Sequence, residues 1–165
     1  ENEQPTVSAT AIKAMKLEPD YIISALHSKH FNKEGQLDRQ IDAKHATHYT
    51  NDNNTRLIQP AIKLIDGTNK QWGLTAQQGD LISDQQLNLQ GDVRLDPINQ
   101  NNEQFSLSTQ ALNIDLPQQI ADTDQHVTIA NQNTKLQAVG MKMNLKKQTV
   151  QFKSQVRGLH VTNQD

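Results

Sequence analysis

The chain has 165 residues, a formal net charge of −2, 34% hydrophobic and 4% aromatic residues, and no cysteine. This length is sufficient for one domain with a buried core. The near-neutral charge and the lack of a basic run argue against nucleic-acid binding. No stretch approaches 18 consecutive apolar residues, so no membrane-spanning segment is expected within the chain.

The composition is polar, with 22 Gln and 15 Asn. A narrow two-sheet structure has a high surface-to-volume ratio, and this balance is expected of it. A disordered chain would also be polar, but it would not keep the regular alternation of apolar and polar residues described below. We therefore expect a folded domain.

The first 18 residues are expected to form a flexible segment before a single domain at residues 19–162. Val7–Leu17 fits a short helix, and Met15 with Leu17 fits the start of an edge strand equally well. Pro19 would end any helix at about Glu18. The chain begins with Glu1 rather than Met, so we expect that a leading segment has been removed.

A hairpin is predicted next, with strands at Tyr21–Phe31 and Leu37–Tyr49 joined by a turn at Asn32–Gly35. Two histidine pairs occur on it, His27/His30 and His45/His48. A spacing of three residues would allow metal binding on a helix, whereas on a strand it places the two side chains on opposite faces. We therefore interpret these histidines as solvated side chains unless a bulge intervenes.

The rest of the chain repeats itself. Similar segments begin at Trp72, Phe105 and Thr134, with a weaker copy from about Ala43 to Ile62. A period in this range indicates one supersecondary unit stacked on copies of itself. Polar turns are expected to close the hairpins at residues 51–54, 83–86, 117–119 and 146–148.

The second strand of each unit alternates regularly. In Leu87, Leu89, Gly91, Val93 and Leu95 every second residue is apolar or small, which predicts a half-buried strand.

The first strand of each unit changes parity part-way along. Leu107 and Thr109 hold one parity while Leu112 and Ile114 hold the other. The switch predicts either a β-bulge or a strand that crosses between two sheets. Gly79 and Gly140 lie at or beside the corresponding positions of other units, as a bend would favour. We expect Gly140 to be a conformational or partner-docking position, with a bend or positive φ that only glycine adopts cheaply.

No catalytic constellation, metal motif or cofactor motif is recognised, so the chain is not expected to be an enzyme. Asp122-Thr123-Asp124 resembles half a calcium loop but lacks its spacing and its terminal Glu. We interpret this triplet as a turn with charges that protect a sheet edge.

Short motifs along the chain form a recognisable series. The series is Pro19-x-Tyr21, Asn32-x-Glu34-Gly35, Ala43-x-His45-Ala46-x-x-Tyr49, Gln59-Pro60, Trp72-x-Leu74-x-Ala76, Leu87-x-Leu89-x-Gly91-x-Val93, Ser108–Ile114 and Gly140-Met141-Lys142-Met143. In order and spacing it resembles the LptC family of the lipopolysaccharide export machine, within the OstA-like superfamily, over residues 18–160. The Leu-x-Leu-x-Gly-x-Val element alone recurs across that superfamily.

The resemblance implies an all-β fold: a twisted, partly open β-jellyroll of two antiparallel sheets built from repeated hairpins. It also implies a periplasmic protein anchored to the Gram-negative inner membrane by a helix that this chain lacks. Such a subunit would accept lipopolysaccharide from an ATP-driven ABC transporter at its N-terminal edge. It would pass the lipid through a hydrophobic groove to a soluble periplasmic bridge subunit at its C-terminal edge.

The inward parity of the strands predicts the lipid-contacting residues of this groove. They are Leu26, Leu57, Leu74, Leu87, Leu89, Val93, Leu107, Val150, Phe152 and Val156. The docking edges are expected at the first strand, about Asp20–His30, and the last, about Thr149–Val161. Three alternatives stay open: the soluble bridge subunit of the same superfamily, a structural adaptor with a filled core, and a glycan-binding module that uses outward Asn and Gln.

Overall fold

The computed structural model describes residues 19–66, 70–98 and 105–160. The expected helix or strand at 7–17 lies outside these ranges, and the division into a flexible segment and one domain stays a prediction. Within them are eleven strands: β1 Tyr21–Phe31, β2 Leu37–Tyr49, β3 Asn54–Ile58, β4 Ala61–Ile65, β5 Gln71–Thr75, β6 Gln78–Ile82, β7 Gln86–Ile98, β8 Ser106–Asp115, β9 Ile120–Ala130, β10 Thr134–Asn144 and β11 Thr149–His160.

The only helical segment in these residues is one 3-10 turn at Thr50–Asp52. Across the described ranges, no helix has the length and apolar character needed to cross a bilayer. The fold is all-β, as expected, with antiparallel pairing throughout.

The first hairpin has the bounds that the sequence predicts, because a local turn defines it. Asn32 Oδ1 accepts hydrogen bonds from the backbone N–H of Glu34 at 3.0 Å and of Gln36 at 2.9 Å. Gly35 takes a φ of +78°, which L-residues rarely adopt. The turn therefore sets the register in which β1 lies along the whole of β2.

Two long strands connect the two sheets of the jellyroll. On β2, residues 39–42 pair with β4 and residues 45–49 pair with β3. On β7, residues 94–98 pair with β5 and residues 86–90 pair with β6. Strands β4 and β5 pair with each other, as do β3 and β6. One end of each long strand thus belongs to the β4–β5 sheet, and the other end belongs to the β3–β6 sheet.

The register shifts where strands cross between the sheets. On β8, the buried residues Thr109 and Leu112 are three positions apart, whereas Thr123 and Val127 on β9 are four apart. Paired residues must face the same way, so the strand with the longer interval carries one extra residue. Both the crossing and the bulge therefore occur, and the extra residue lies on the second strand of the unit.

The same arrangement recurs in neighbouring units. The bulge on β7 contains Gly91 with φ +80° and Asp92 with φ +45°, and the bulge on β11 contains Gln155 with φ +51°. The second strand of each unit keeps its apolar residues on one parity, because the extra residue cancels the change of parity that goes with the crossing between the sheets.

Leucine side chains dominate the space between the sheets. Leu57, Leu87 and Leu112 have no solvent exposure, and Leu74 and Leu89 have 1%. Burial of each such side chain stabilises the fold by about 1.5–3 kcal/mol. This part of the interior is a filled core.

Turns lie at residues 83–85, 116–119 and 145–148, which confirms the turns predicted at 83–86, 117–119 and 146–148. The turn predicted at 51–54 overlaps the 3-10 turn at Thr50–Asp52, and Asn54 already begins β3. Asp122-Thr123-Asp124 is not a turn, because it lies within β9. The bulge of β9 leaves three consecutive polar residues exposed, Asp124, Gln125 and His126, and such a polar run resembles a turn in the sequence. The strand predicted from Trp72 is divided into β5 and β6, which pair with different sheets.

Candidate functional site

An apolar cleft lies where the two sheets separate near the C-terminal strands. Its volume is about 510 Å³. The β4–β5 sheet supplies one wall and the β3–β6 sheet supplies the other. The lining residues are Trp72, Leu95, Pro97, Phe105, Leu107 and Ile129 on the first wall, and Met143, Gln148, Val150 and Phe152 on the second.

The cleft is open because little of the described part of the chain covers β11. Val150 and Phe152 pack partly against the core, whereas every residue of β11 from 153 to 160 is exposed. Large apolar side chains also lie exposed near this side, with Phe105 at 43% and Leu159 at 62%. Soluble domains normally bury such groups or use them for binding. The cleft can therefore accept an apolar ligand without unfolding the core.

Trp72 carries one of the few polar groups in this wall. The residue is 7% exposed, and its Nε1–H has no hydrogen-bond partner among the described residues. A buried donor without a partner costs about 1–3 kcal/mol. It is also the only tryptophan in the chain, so its fluorescence reports on this cleft alone.

The structure divides the predicted groove residues into three groups. Leu107, Val150 and Phe152 come together in the cleft. Leu26 on β1 is half-buried against the core, and Val156 is 54% exposed beyond the bulge of β11. The remaining five are each at most 1% exposed in the filled core: Leu57, Leu74, Leu87, Leu89 and Val93. Contact of any of the ten with lipid stays a prediction.

Several cleft residues were not identified from the sequence as groove positions. Leu95 continues the parity of Val93, and Ile129 continues that of Val127, so the alternation contains the signal for both. Trp72 and Phe105 are the first residues of their units. No apolar residue two positions earlier shows that they belong to the inward face. Large aromatic side chains at these two starts are the remaining sequence signal.

Comparison with protein-family models gives a match over residues 1–161, to the family described as lipopolysaccharide-assembly, LptC-related. The chain belongs to the LptC family. It is therefore a component of lipopolysaccharide transport in the periplasm of the cell envelope, as the sequence resemblance indicates. None of the curated proteins compared with the chain matches it significantly.

In this LptC-family chain, Gly140 lies directly beneath a lysine. Gly140 has φ +79°, and a Cβ added there would lie 2.7 Å from Lys153 Cδ and 2.8 Å from Lys153 Cβ. Lys153 crosses this position to place Nζ 2.8 Å from Asp122 Oδ1 and 2.7 Å from Asp124 Oδ1. These hydrogen bonds and charges raise the pKa of Lys153. The missing side chain thus permits a clamp between β11 and β9 across β10.

At the opposite edge of the sheet, β1 pairs with β2 alone among the described strands. Its exposed apolar residues are Tyr21 at 51%, Ile22 at 67% and Phe31 at 55%. Tyr21 stacks on His48 with ring centroids 4.8 Å apart. This edge presents backbone groups and apolar side chains together, as strand addition requires.

The first histidine pair contacts acidic residues on β2. His27 Nδ1 lies 2.5 Å from Asp42 Oδ1, and His30 Nδ1 lies 2.7 Å from Asp38 Oδ1. The hydrogen bond from His27 is the main cause that lowers the pKa of Asp42. In residues 19–66, 70–98 and 105–160, no cluster of three His, Asp or Glu side chains is arranged to hold a metal ion.

Proposed function

We propose that this chain conducts lipopolysaccharide by holding its acyl chains in the apolar cleft between the two sheets. It would accept the lipid from an inner-membrane ABC transporter at the β1 edge and pass it to a soluble periplasmic bridge subunit at the β11 edge. The full-length protein would act at the inner membrane through an upstream anchor. The supporting observation is the open cleft of about 510 Å³ with almost entirely apolar walls.

The chemistry of the cleft suits passive binding of hydrocarbon. Each methylene group removed from water contributes about 0.8 kcal/mol, so an acyl chain would be retained without a specific polar contact. An unsealed cleft also lets the acyl chain leave sideways, which transfer to a neighbouring subunit requires. Net movement would then draw on ATP hydrolysis by the transporter, and the conduit itself needs no catalytic residue.

The two edges support end-to-end assembly. Strands β1 and β11 each pair on one side only within the described part of the chain. Unpaired edges are templates for a further strand. Because β1 and β11 differ in sequence and neighbours, a contact between one edge and the other edge of a related subunit is heterologous and extends a filament.

Site-specific photocrosslinking tests the proposal. A photoreactive residue at Val150 or Phe152 should give lipopolysaccharide adducts in cells, because both side chains line the cleft. Gln151 lies between them on β11 and is exposed, which makes it the matched control. Equal adduct yields at all three positions would contradict the proposed cleft.

A structural adaptor is the second candidate, since the core around Leu57, Leu87 and Leu112 is filled. On that hypothesis the edges alone would function. The same experiment separates the two functions, because an adaptor would form protein crosslinks at the edges and no lipid adduct at Phe152.

A further inference from the structure

A second cavity, of about 580 Å³, lies between the β1–β2 hairpin and the turns at residues 83–85 and 116–119. None of the described residues that line it also lines the apolar cleft. Both polar and apolar side chains line it, among them Lys33, Arg39, Asp84, Phe31 and Leu116. This mixture differs from the nearly uniform apolar walls of the cleft.

Arg39 is a buried cation whose partners among the described residues do not use all of its donors. It is 8% exposed, Nη1 donates to the backbone carbonyl of Asp84 at 3.3 Å, and Nη2 lies 3.9 Å from Asp84 Oδ1. A bidentate arginine–carboxylate pair has N–O distances of about 2.7–2.9 Å. A guanidinium carries five N–H donors. Arg39 therefore retains hydrogen-bonding capacity toward the cavity, and its burial lowers the pKa of the guanidinium.

The neighbouring charges leave room for an anion. Lys33 lines the same cavity and forms no ion pair within the described residues. Asp38 Oδ1 lies 2.7 Å from His30 Nδ1. The Asp84 side chain is 76% exposed and can turn into solvent at little cost. Arg39 and Lys33 thus line a cavity together with two carboxylates: Asp38, which contacts His30, and Asp84, which is only loosely held.

We propose that this cavity binds a phosphate group, held by Arg39 and Lys33, with Asp84 displaced into solvent. Leu116, which is 8% exposed, and Phe31 would contact an apolar portion of the same molecule. This inference deepens the proposed function and rests on it in one respect: the phosphate would belong to the headgroup of the transported lipid. Free phosphate shares the chemistry, and the experiment distinguishes the two sources.

Binding to the whole 165-residue chain is measured by titration calorimetry with three probes: dodecyl phosphate, uncharged dodecyl maltoside and inorganic phosphate. Arg39→Gln should weaken dodecyl phosphate binding about tenfold or more, the effect of losing a charge-assisted hydrogen bond. Lys33→Gln should weaken it about threefold, as expected for an exposed charge. Neither change should alter dodecyl maltoside binding.

Asp84→Asn is the decisive variant, because it removes the loosely held carboxylate that competes for Arg39. Asp84 has φ +55°, and asparagine tolerates this conformation well, so the turn is preserved. Dodecyl phosphate should bind about threefold more tightly to this variant, by the loss of one competing exposed charge. A purely structural Arg39–Asp84 pair would instead give lower stability with no gain in affinity.

Unchanged dodecyl phosphate affinity in all three variants would overturn the proposal. If Arg39→Gln does not fold, the Lys33 and Asp84 variants still decide, since both side chains are exposed. Inorganic phosphate that binds as tightly as dodecyl phosphate would support the anion site but reject the lipid as its source. The proposed function and the phosphate site can also fail separately. If a photoreactive residue at Phe152 gives no lipid adducts while Arg39→Gln still weakens dodecyl phosphate binding, the conduit is rejected and the phosphate site is retained.

Discussion

The glycines of this chain separate two effects that are usually mixed, backbone strain and crowding. Gly140 combines φ +79° with a crowded Cβ position. Gly35 has φ +78°, and no atom of the described residues lies within 4 Å of its Cβ position. Gly158 has neither property. The three positions therefore form a natural series of substitutions to alanine.

Gly140→Ala should lower the free energy of unfolding by about 2 kcal/mol or more, because the left-handed conformation costs about 1–2 kcal/mol and overpacking against Lys153 adds about 1–3. Gly35→Ala should lower the free energy of unfolding only by the cost of the left-handed conformation, and Gly158→Ala should leave it nearly unchanged. Urea denaturation measures all three. Equal losses of unfolding free energy at Gly140 and Gly35 would show that the Lys153 side chain moves aside without cost. Gly140→Arg should in addition weaken folding or partner docking.

The carboxyl group of Asp42 should titrate below its ordinary pKa because His27 donates a hydrogen bond to it. A lowered folded-state pKa stabilises the protein above the unfolded-state value of about 3.9, and this contribution is lost as the pH falls through the folded value. NMR titration of the Asp42 side chain should show the shift, and His27→Gln should reduce it. An identical pKa in both proteins would exclude His27 as the cause.

At the scale of elements, β11 consists of two unlike halves on either side of its bulge. Residues 149–154 pair with 139–144 of β10, and Val150 and Phe152 there pack on the core. Residues 157–160 pair with 134–137 and are all exposed. The first half belongs to the fold, and the second half is available to a partner.

A chain that ends after Ser154 should fold, keep the transporter contact and lose the soluble bridge subunit, because it lacks the exposed half of β11. Pull-down from the periplasmic fraction, with circular dichroism as the folding check, measures this. A chain that ends at His160 is the matched control. Truncation after Gln148 should unfold the protein, since it uncovers Met141 and Met143. Recruitment of the bridge subunit by the Ser154 truncation would exclude the C-terminal edge as its docking surface.

At the scale of the whole molecule, the two sheets are joined by shared strands, so they cannot separate as independent bodies. They are packed together around Leu57 and Leu87 and diverge around Phe105 and Phe152. A lipid would therefore occupy the divergent side without disturbing the filled core.

An acyl chain brominated near its end should quench the fluorescence of Trp72, the only tryptophan of the chain, because it would lie in the cleft against the indole. The control protein carries Trp72→Phe together with Tyr21→Trp, which moves the fluorophore to the β1 edge, where Tyr21 is 51% exposed. This protein should show little quenching. Equal quenching of both proteins would indicate non-specific association.

The sequence by itself determined the strand bounds of the first hairpin, the repeated unit, the apolar parity of β7 and β9, and the family. Each of these depends on local geometry or on residue order: alternation has a covalent period of two, and Asn32 with Gly35 encodes the turn. Only the tertiary structure decided which strand of each pair carries the extra residue, because the parity of one strand read alone does not give its register with its partner. It also decided that Leu107 and Phe152 line an open cleft while Leu57 and Leu89 lie in a filled core. Alternation specifies which face of a strand points inward, but the distance to the opposite sheet is set by the packing of many non-local side chains.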